Sequence, residues 1–168
     1  MENENKAVRR LSERLAIACG YSHAEAKIIG WAAEYHDIGK SLVPQYLIHK
    51  PGKLLPFEFE TMKQHTKHGE KMLRSIPGDR GVIARQIALL HHEFHNGNGY
   101  WGYKASDLPV FIGVVSLCDV FVELASKRAY KDEWPYTDIV DYIRIRAGTQ
   151  FNPTLITPFI SMLNERAE

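Results

Sequence analysis

The apolar positions of this chain recur mostly three or four residues apart, the spacing of one helix face. Val8, Leu11, Leu15 and Ala18 form a first stripe, and Gly20 stops it with the residue best suited to a helix end. Ser22 followed by Glu25 reads as a capping box. It opens a second helix with Ala24, Ile28, Ala32 and Tyr35 on one face, running to about His36. The segment GKSLVPQYLIHKPGKL that follows holds two prolines and two glycines and reads as an irregular connection. Pro56 then opens a short helix near 57–65, with another expected near 67–75 and a further one over 83–92. The segment HNGNGYWGYK, with three glycines and two asparagines, is a loop. Pro109 starts a long apolar helix to about Ser126, and Thr137 caps a helix through Tyr142 and Ile143. Pro153 opens the last one, with Leu155, Phe159 and Leu163 repeating. No run alternates with the period of a strand. The expected fold class is all-α: a compact bundle of about seven helices, in one domain spanning residues 1–168.

Composition narrows the function. The chain has 168 residues, with 21 Lys and Arg against 20 Asp and Glu, a net charge of +1. That is too small a surplus for a domain that binds bulk nucleic acid. No apolar run approaches the ~20 residues of a membrane span, and the polar opening MENENKAVRR is not a signal-peptide core. Two cysteines, Cys19 and Cys118, build neither a disulfide framework nor a cysteine-rich zinc site. The compartment expected is the cytoplasm. The unusual feature is eight histidines, mostly clustered.

The segment PVFIGVVSLCDVFV is apolar almost all round and reads as a buried central helix. Asp119 lies within it, and a carboxylate there is costly unless paired or bound to a metal. Taken alone, an arginine or a helix end would explain it as well. The histidines change the balance. His36 and Asp37 are adjacent at the end of the second helix, His65 comes one helix later, and His91 and His92 are adjacent at the end of another. Four imidazoles and two carboxylates form a nitrogen and oxygen donor set without thiolates. It suits iron or manganese and leaves zinc and nickel open. Six donors exceed one tetrahedral structural site and fit two divalent ions sharing a carboxylate. Such a pair, about 3.5–4 Å apart, can polarise water against phosphorus and clamp both oxygens of a phosphoryl displacement. Lys40 could neutralise a phosphate oxygen, and Arg128 and Lys131 could grip another. A solvated surface is the alternative for these cations, most of all for Lys131.

These residues fall into a pattern. HDIGK at 36–40, KPGKL at 50–54, MKQHTKHGEKML at 62–73, HHEFHNGNGY at 91–100, SLCDVFVELASKRAYK at 116–131 and GTQFNP at 148–153 occur in order. Together they resemble the HD-GYP domains of the HD phosphohydrolase superfamily, over roughly residues 22–160. The resemblance implies a helical bundle with two or three metal ions that hydrolyses cyclic di-GMP to pGpG or GMP. It implies that His36 and Asp37 are metal ligands, Asp37 bridging, with His65, His91 and His92 on the second ion and Asp119 on the first. It implies that Asp37 and Lys40 serve the reacting centre, and that Lys40, Tyr100, Arg128 and Lys131 contact the substrate. Such domains are often fused to sensors. A standalone protein, or one that associates with a separate sensor or a diguanylate cyclase, is the expectation here.

The chain departs from the motif at four places. GYP reads GYW, with Trp101 for proline. Asn96 replaces the loop aspartate, and Val122 replaces a second aspartate three residues after Asp119. No histidine precedes the HD pair by about thirty residues, where Glu4 offers an oxygen instead, the alternative being a frayed terminus. His68 could face the same site as His65, His95 could touch substrate or solvent, and His23 and His49 are assigned to the surface. Trp31 and Trp134 are packing residues. Trp101, beside Tyr100, is also a candidate face for a purine. Two readings compete with a phosphodiesterase: a degenerate module that binds nucleotide or a protein without turnover, and a hydrolase of another phosphoester.

Overall fold

A computed structural model of the protein describes residues 4–126 and 133–165. Among them the regular structure is helical, apart from an isolated bridge between Ala147 and Phe151. The bundle begins with α1 (Glu4–Ala18), which buries Val8, Leu11 and Leu15, and α2 (His23–Glu34) packed beside it. The capping box at α2 is complete: the Glu25 amide donates to Ser22 Oγ (3.2 Å) and the Ser22 amide to Glu25 Oε2 (2.9 Å). Gly20 leaves α1 at φ 92°, a conformation costly for any side chain.

The expected irregular connection contains a 3-10 turn at Ile38–Leu42 and a single-turn helix α3 (Gln45–Ile48). The two short helices expected across 57–75 are one helix, α4 (Pro56–Met72). Nothing between them breaks it: Thr66 returns its hydroxyl to the Lys63 carbonyl (2.9 Å) and stays helical. α5 (Gly78–Leu90) starts five residues before the expected Ile83, directly after Pro77. α6 (Val110–Ala125) is the central helix, with Val114, Val115, Leu117 and Cys118 fully buried against neighbours that include α1 and α5. α7 (Tyr136–Ile145) is entered through Pro135, so Thr137 lies inside the helix and is not its cap. Pro153 opens a 3-10 turn that leads into α8 (Ile156–Asn164). No helix is long and apolar enough to cross a membrane among the described residues.

One contact orders the site. Gly39, in the 3-10 turn, lies against α4 so closely that a Cβ would overlap the His65 carbonyl oxygen and the Gly69 nitrogen. Gly69 carries no Cβ either, so two backbones meet directly. This seats Asp37, two residues before Gly39, beside His65. Gly39→Ala should force the turn off α4 and cost about 1–3 kcal/mol, the usual range for overpacking, read as a fall in the denaturant midpoint. An unchanged midpoint would mean that the turn moves freely. Burial pushes the Cys118 thiol up to about 12. It therefore stays protonated at pH 8.5, and iodoacetamide should label it only after unfolding. Labelling in the native protein would show that α6 opens.

Candidate metal centre

Four stretches of chain deliver the site. α2 ends at Glu34, so His36 and Asp37 stand in the turn beyond it; α4 carries His65. α5 ends at Leu90 and hands over His91 and His92, while α6 brings Asp119 from the core. His36, His65 and His91 are each 1% exposed.

The backbone chooses the tautomer of three of these rings. His36 Nδ1 donates to the Ala33 carbonyl (2.7 Å), His65 Nδ1 to that of Met62 (2.7 Å) and His91 Nδ1 to that of Ile87 (3.0 Å). A carbonyl only accepts, so Nδ1 bears the hydrogen, and a neutral ring presents the lone pair of Nε2. Those nitrogens face carboxylate oxygens. His36 Nε2 is 3.3 Å from Asp37 Oδ2 and 3.2 Å from Asp119 Oδ1. His65 Nε2 is 3.3 Å and His91 Nε2 3.7 Å from Asp37 Oδ1. His36 Nε2 and Asp37 Oδ1 are buried without a hydrogen-bond partner. With Nδ1 spent on the backbone, an Nε2 that faces a carboxylate oxygen needs either a proton or a metal ion between the two, and bonds of about 2.1 Å to a shared ion would hold them about 3 Å apart. Two groups of such atoms lie within 4.8 Å of one another: Asp37, His65, His91 and His92, and His36, His91 and Asp119. The donor set fits divalent metal, and all six expected ligand residues meet in it.

The charges agree. Burial disfavours charge on His36, but the Asp37 and Asp119 carboxylates outweigh it and hold the imidazole well above its ordinary pKa. Burial likewise opposes ionisation of Asp37 and Asp119, yet the neighbouring His36 keeps both well below the usual carboxylate range. His92 lies well below the ordinary imidazole value because it is buried and beside His91. Lys40 pairs with Asp37 Oδ2, and that carboxylate raises its pKa against the pull of burial, aided by Asp119 and Glu123.

The cluster opens onto a cleft of about 810 Å³ lined by His36, Asp37, Lys40, His65, His92, Tyr100 and Asp119. The Tyr100 ring lies 4.5 Å from that of His92, 32° from parallel. Glu4, read in the sequence as a frayed terminus with an oxygen ligand as the alternative, is exposed in the first turn of α1 and lines the cleft outside both donor groups. Val122 lines the cleft as an apolar residue, but the next residue, Glu123, brings a carboxylate to the same wall. His49, expected at the surface, is exposed and also lines the cleft. His68 joins neither donor group. Arg128 and Lys131 lie outside the described residues. Trp101 packs on α4, with its indole N–H donating to Thr66 Oγ1 (3.1 Å), and does not line the cleft. The sequence reading missed Glu93, which is buried and accepts two loop amides; its place after HH was the available signal.

A family model described as HD domain matches residues 1–155. The chain belongs to the HD-domain family. A cyclic di-GMP phosphodiesterase of Thermotoga maritima is 35% identical to this HD domain over 156 residues, 92% of this chain and 42% of that protein. The 3'3'-cGAMP-specific phosphodiesterase 2 of Vibrio cholerae is 35% identical over 145 residues, 86% of this chain and 28% of that protein. The chain thus spans less than half the length of these relatives. Among solved structures, Bd1817, an HDG"Y"P protein of Bdellovibrio bacteriovorus, superposes with a TM-score of 0.75 at 19% identity, covering 96% of this chain and 51% of that one. The L. monocytogenes PgpH HD domain in complex with cyclic-di-AMP does so at 0.66 and 21% identity, covering 97% and 89%. At those identities the superpositions speak for the fold.

Adding Mn²⁺ or Fe²⁺ to the metal-stripped HD domain should raise its Tm. At free ion about 100-fold over Kd the gain is about 2.7 kcal/mol, or roughly 5–10 °C for this size. Asp37→Ala should abolish the shift. A flat Tm in wild type with Mn²⁺, Fe²⁺, Zn²⁺ and Ni²⁺ alike would refute a metal centre.

Proposed function

We propose that this HD domain is a metal-dependent phosphodiesterase that opens a cyclic dinucleotide, cyclic di-GMP in the first place, to pGpG and/or GMP. The observation that carries the reading is the division of the Asp37 carboxylate, with Oδ2 toward His36 and Lys40 and Oδ1 toward His65 and His91. We assign Asp37 as the bridging ligand, His65, His91 and His92 to one ion, and His36 and Asp119 to the other. The cleft beside them has the volume of a small-molecule site, and relatives of similar sequence are named for cyclic dinucleotides. Iron or manganese suits the all-nitrogen and oxygen donor set best.

Divalent ions held there would supply Lewis acidity toward the phosphodiester and acidify a water. The chain's own residues do the rest. Buried imidazoles with fixed tautomers keep their Nε2 atoms aimed without reorganising, so the site is preformed. Lys40 keeps its proton because Asp37 is beside it, and so offers a fixed positive charge to a non-bridging phosphate oxygen. Burial, then the nearby carboxylates, push the Tyr100 phenol above its ordinary pKa, so it faces the cleft as a donor. pGpG carries its terminal phosphate on a 5′ oxygen. Water oxygen therefore adds to phosphorus, the P–O3′ bond breaks, and the 3′ oxygen leaves with a proton. Arg128 and Lys131, outside the described residues, are assigned to substrate phosphate on their place in the motif.

A second reading, a module that binds the nucleotide without turnover, is favoured by the apolar Val122 in the cleft wall. One experiment separates them. Metal content per chain is measured, and cyclic di-GMP and 3'3'-cGAMP are incubated with the Mn²⁺- or Fe²⁺-loaded protein and assayed for linear products. Turnover with two or more ions per chain is expected. Asp37→Ala should lose metal and activity together, while Lys40→Ala keeps the metal and loses about 10²-fold in kcat. Metal without turnover of a bound cyclic dinucleotide would favour the binding module, and turnover of other phosphoesters alone would overturn the substrate assignment. Retention of both ions by Asp37→Ala would remove the bridging role.

A further inference from the structure

The loop over 95–104 is tied down by groups that the metal centre does not use. Glu93 is 4% exposed, and its two carboxylate oxygens accept the main-chain N–H groups of Trp101 (2.7 Å) and Tyr103 (2.9 Å). A buried carboxylate satisfied by two loop amides is a strong clamp, because charge-assisted hydrogen bonds exceed neutral ones about twofold. Trp101 adds a second tie. Its indole N–H donates to Thr66 Oγ1 (3.1 Å), next to His65 on α4, and the Lys67 ammonium stands 3.8 Å from the ring centroid. Gly99 is a third: a Cβ there would stand 2.5 Å from Glu93 Cα and 2.6 Å from the His92 carbonyl oxygen, so the loop backbone lies directly on residues 92–94. Between Gly99 and Trp101 is Tyr100, whose amide donates to the His92 carbonyl (3.3 Å). Its ring packs on His92 and stands edge-on to Phe59 at 5.5 Å.

Two of these ties would be lost if residue 101 were proline. A proline there has no main-chain N–H to give Glu93 and no indole to reach Thr66. We propose that Glu93 and Trp101 are positioning residues, a latch that fixes Tyr100 as the aromatic wall of the cleft before a nucleotide arrives. The inference rests on the reading of that cleft as a cyclic-dinucleotide site. A wall fixed in advance spares the complex the cost of ordering a glycine-rich loop, so the latch acts on substrate binding and leaves the chemical step alone.

Three variants of the full chain test it. Trp101→Pro removes both donors, Trp101→Phe removes only the indole donor, and Glu93→Gln leaves a single acceptor oxygen. For each, metal content, KM and kcat for cyclic di-GMP, and amide hydrogen exchange over 96–104 without substrate are measured. Trp101→Pro should raise exchange and KM about tenfold, the worth of one hydrogen bond to a charged acceptor. Metal content should hold, and kcat should stay within about twofold. Trp101→Phe and Glu93→Gln should fall between it and wild type. Wild-type exchange and KM in Trp101→Pro would overturn the latch, as would activity lost in proportion to metal, which would make both residues supports of the ligands. Should Trp101→Pro not fold, Trp101→Phe decides by the same two readouts. If the wild-type chain opens no cyclic dinucleotide, the functional reading falls by itself. The latch is then decided by exchange alone: faster exchange over 96–104 in the variants supports it, and wild-type protection overturns it.

Discussion

Three imidazoles with one proton position already spent set the terms for the rest of this molecule. His36, His65 and His91 each give their Nδ1 hydrogen to a carbonyl three or four residues earlier in the chain. A helix, or the turn just past its end, supplies that acceptor, so tautomer and ring orientation follow from where each histidine stands relative to the preceding helical turn. What remains is a set of Nε2 lone pairs in the interior, aimed at two carboxylates. Rearranging hydrogen bonds cannot satisfy them, since both sides are acceptors. Only a proton or a metal ion can, and the Asp37 and Asp119 carboxylates hold the pKa of His36 well above the ordinary imidazole value against the pull of burial.

The packing makes sense as the means of holding that arrangement. Carboxylates repel one another and prefer water, so Asp119 reaches the centre only because α6 is anchored by Val114, Val115 and Leu117 on its buried sides. Each such side chain contributes about 1.5–3 kcal/mol by leaving water, which offsets the cost of burying a charge. Gly39 does the complementary work from outside. By letting the turn after the HD pair touch the backbone of α4, it brings Asp37 within 3.3 Å of His65, a residue 28 positions away in the chain. The low dielectric that makes the cage costly also strengthens every charge effect within it.

Much of this was readable from residue order, and the parts that were not share a cause. The HD and HH pairs, the lone aspartate in an apolar helix and the Ser22 capping box are local signals, and local signals survive without coordinates. The two helices expected across 57–75 meet at polar residues, His65, Thr66 and Lys67, which interrupt the apolar stripe although His65 and Thr66 are buried. Helix continuity there depends on the absence of any competing acceptor, which a stripe pattern does not register. The early start of α5 depends on Pro77, which is followed by Gly78 and Gly81, residues that weaken a helical reading of 78–82. The role of Glu93 was hidden for a different reason, although its place after the HH pair marked the residue. Its partners are main-chain amides eight and ten residues later, and an amide has no identity in a sequence.

The four departures from the HD-GYP motif leave the six cage residues unchanged. Val122 and Glu4 line the cleft, and Asn96 and Trp101 lie in the loop over 95–104. Physics gives the two regions different tolerances. A ligand position accepts only a side chain that places a lone pair within a few tenths of an ångström of a fixed point, so few replacements survive. A wall needs shape and charge, and several sequences supply the same shape. The carboxylate absent at Val122 reappears at Glu123, one residue on, because positions three and four after Asp119 share a helix face. Trp101 replaces a stiff ring with hydrogen bonds, exchanging one way of immobilising Tyr100 for another. On the function proposed above, the wall would discriminate among nucleotides and the cage would carry the chemistry.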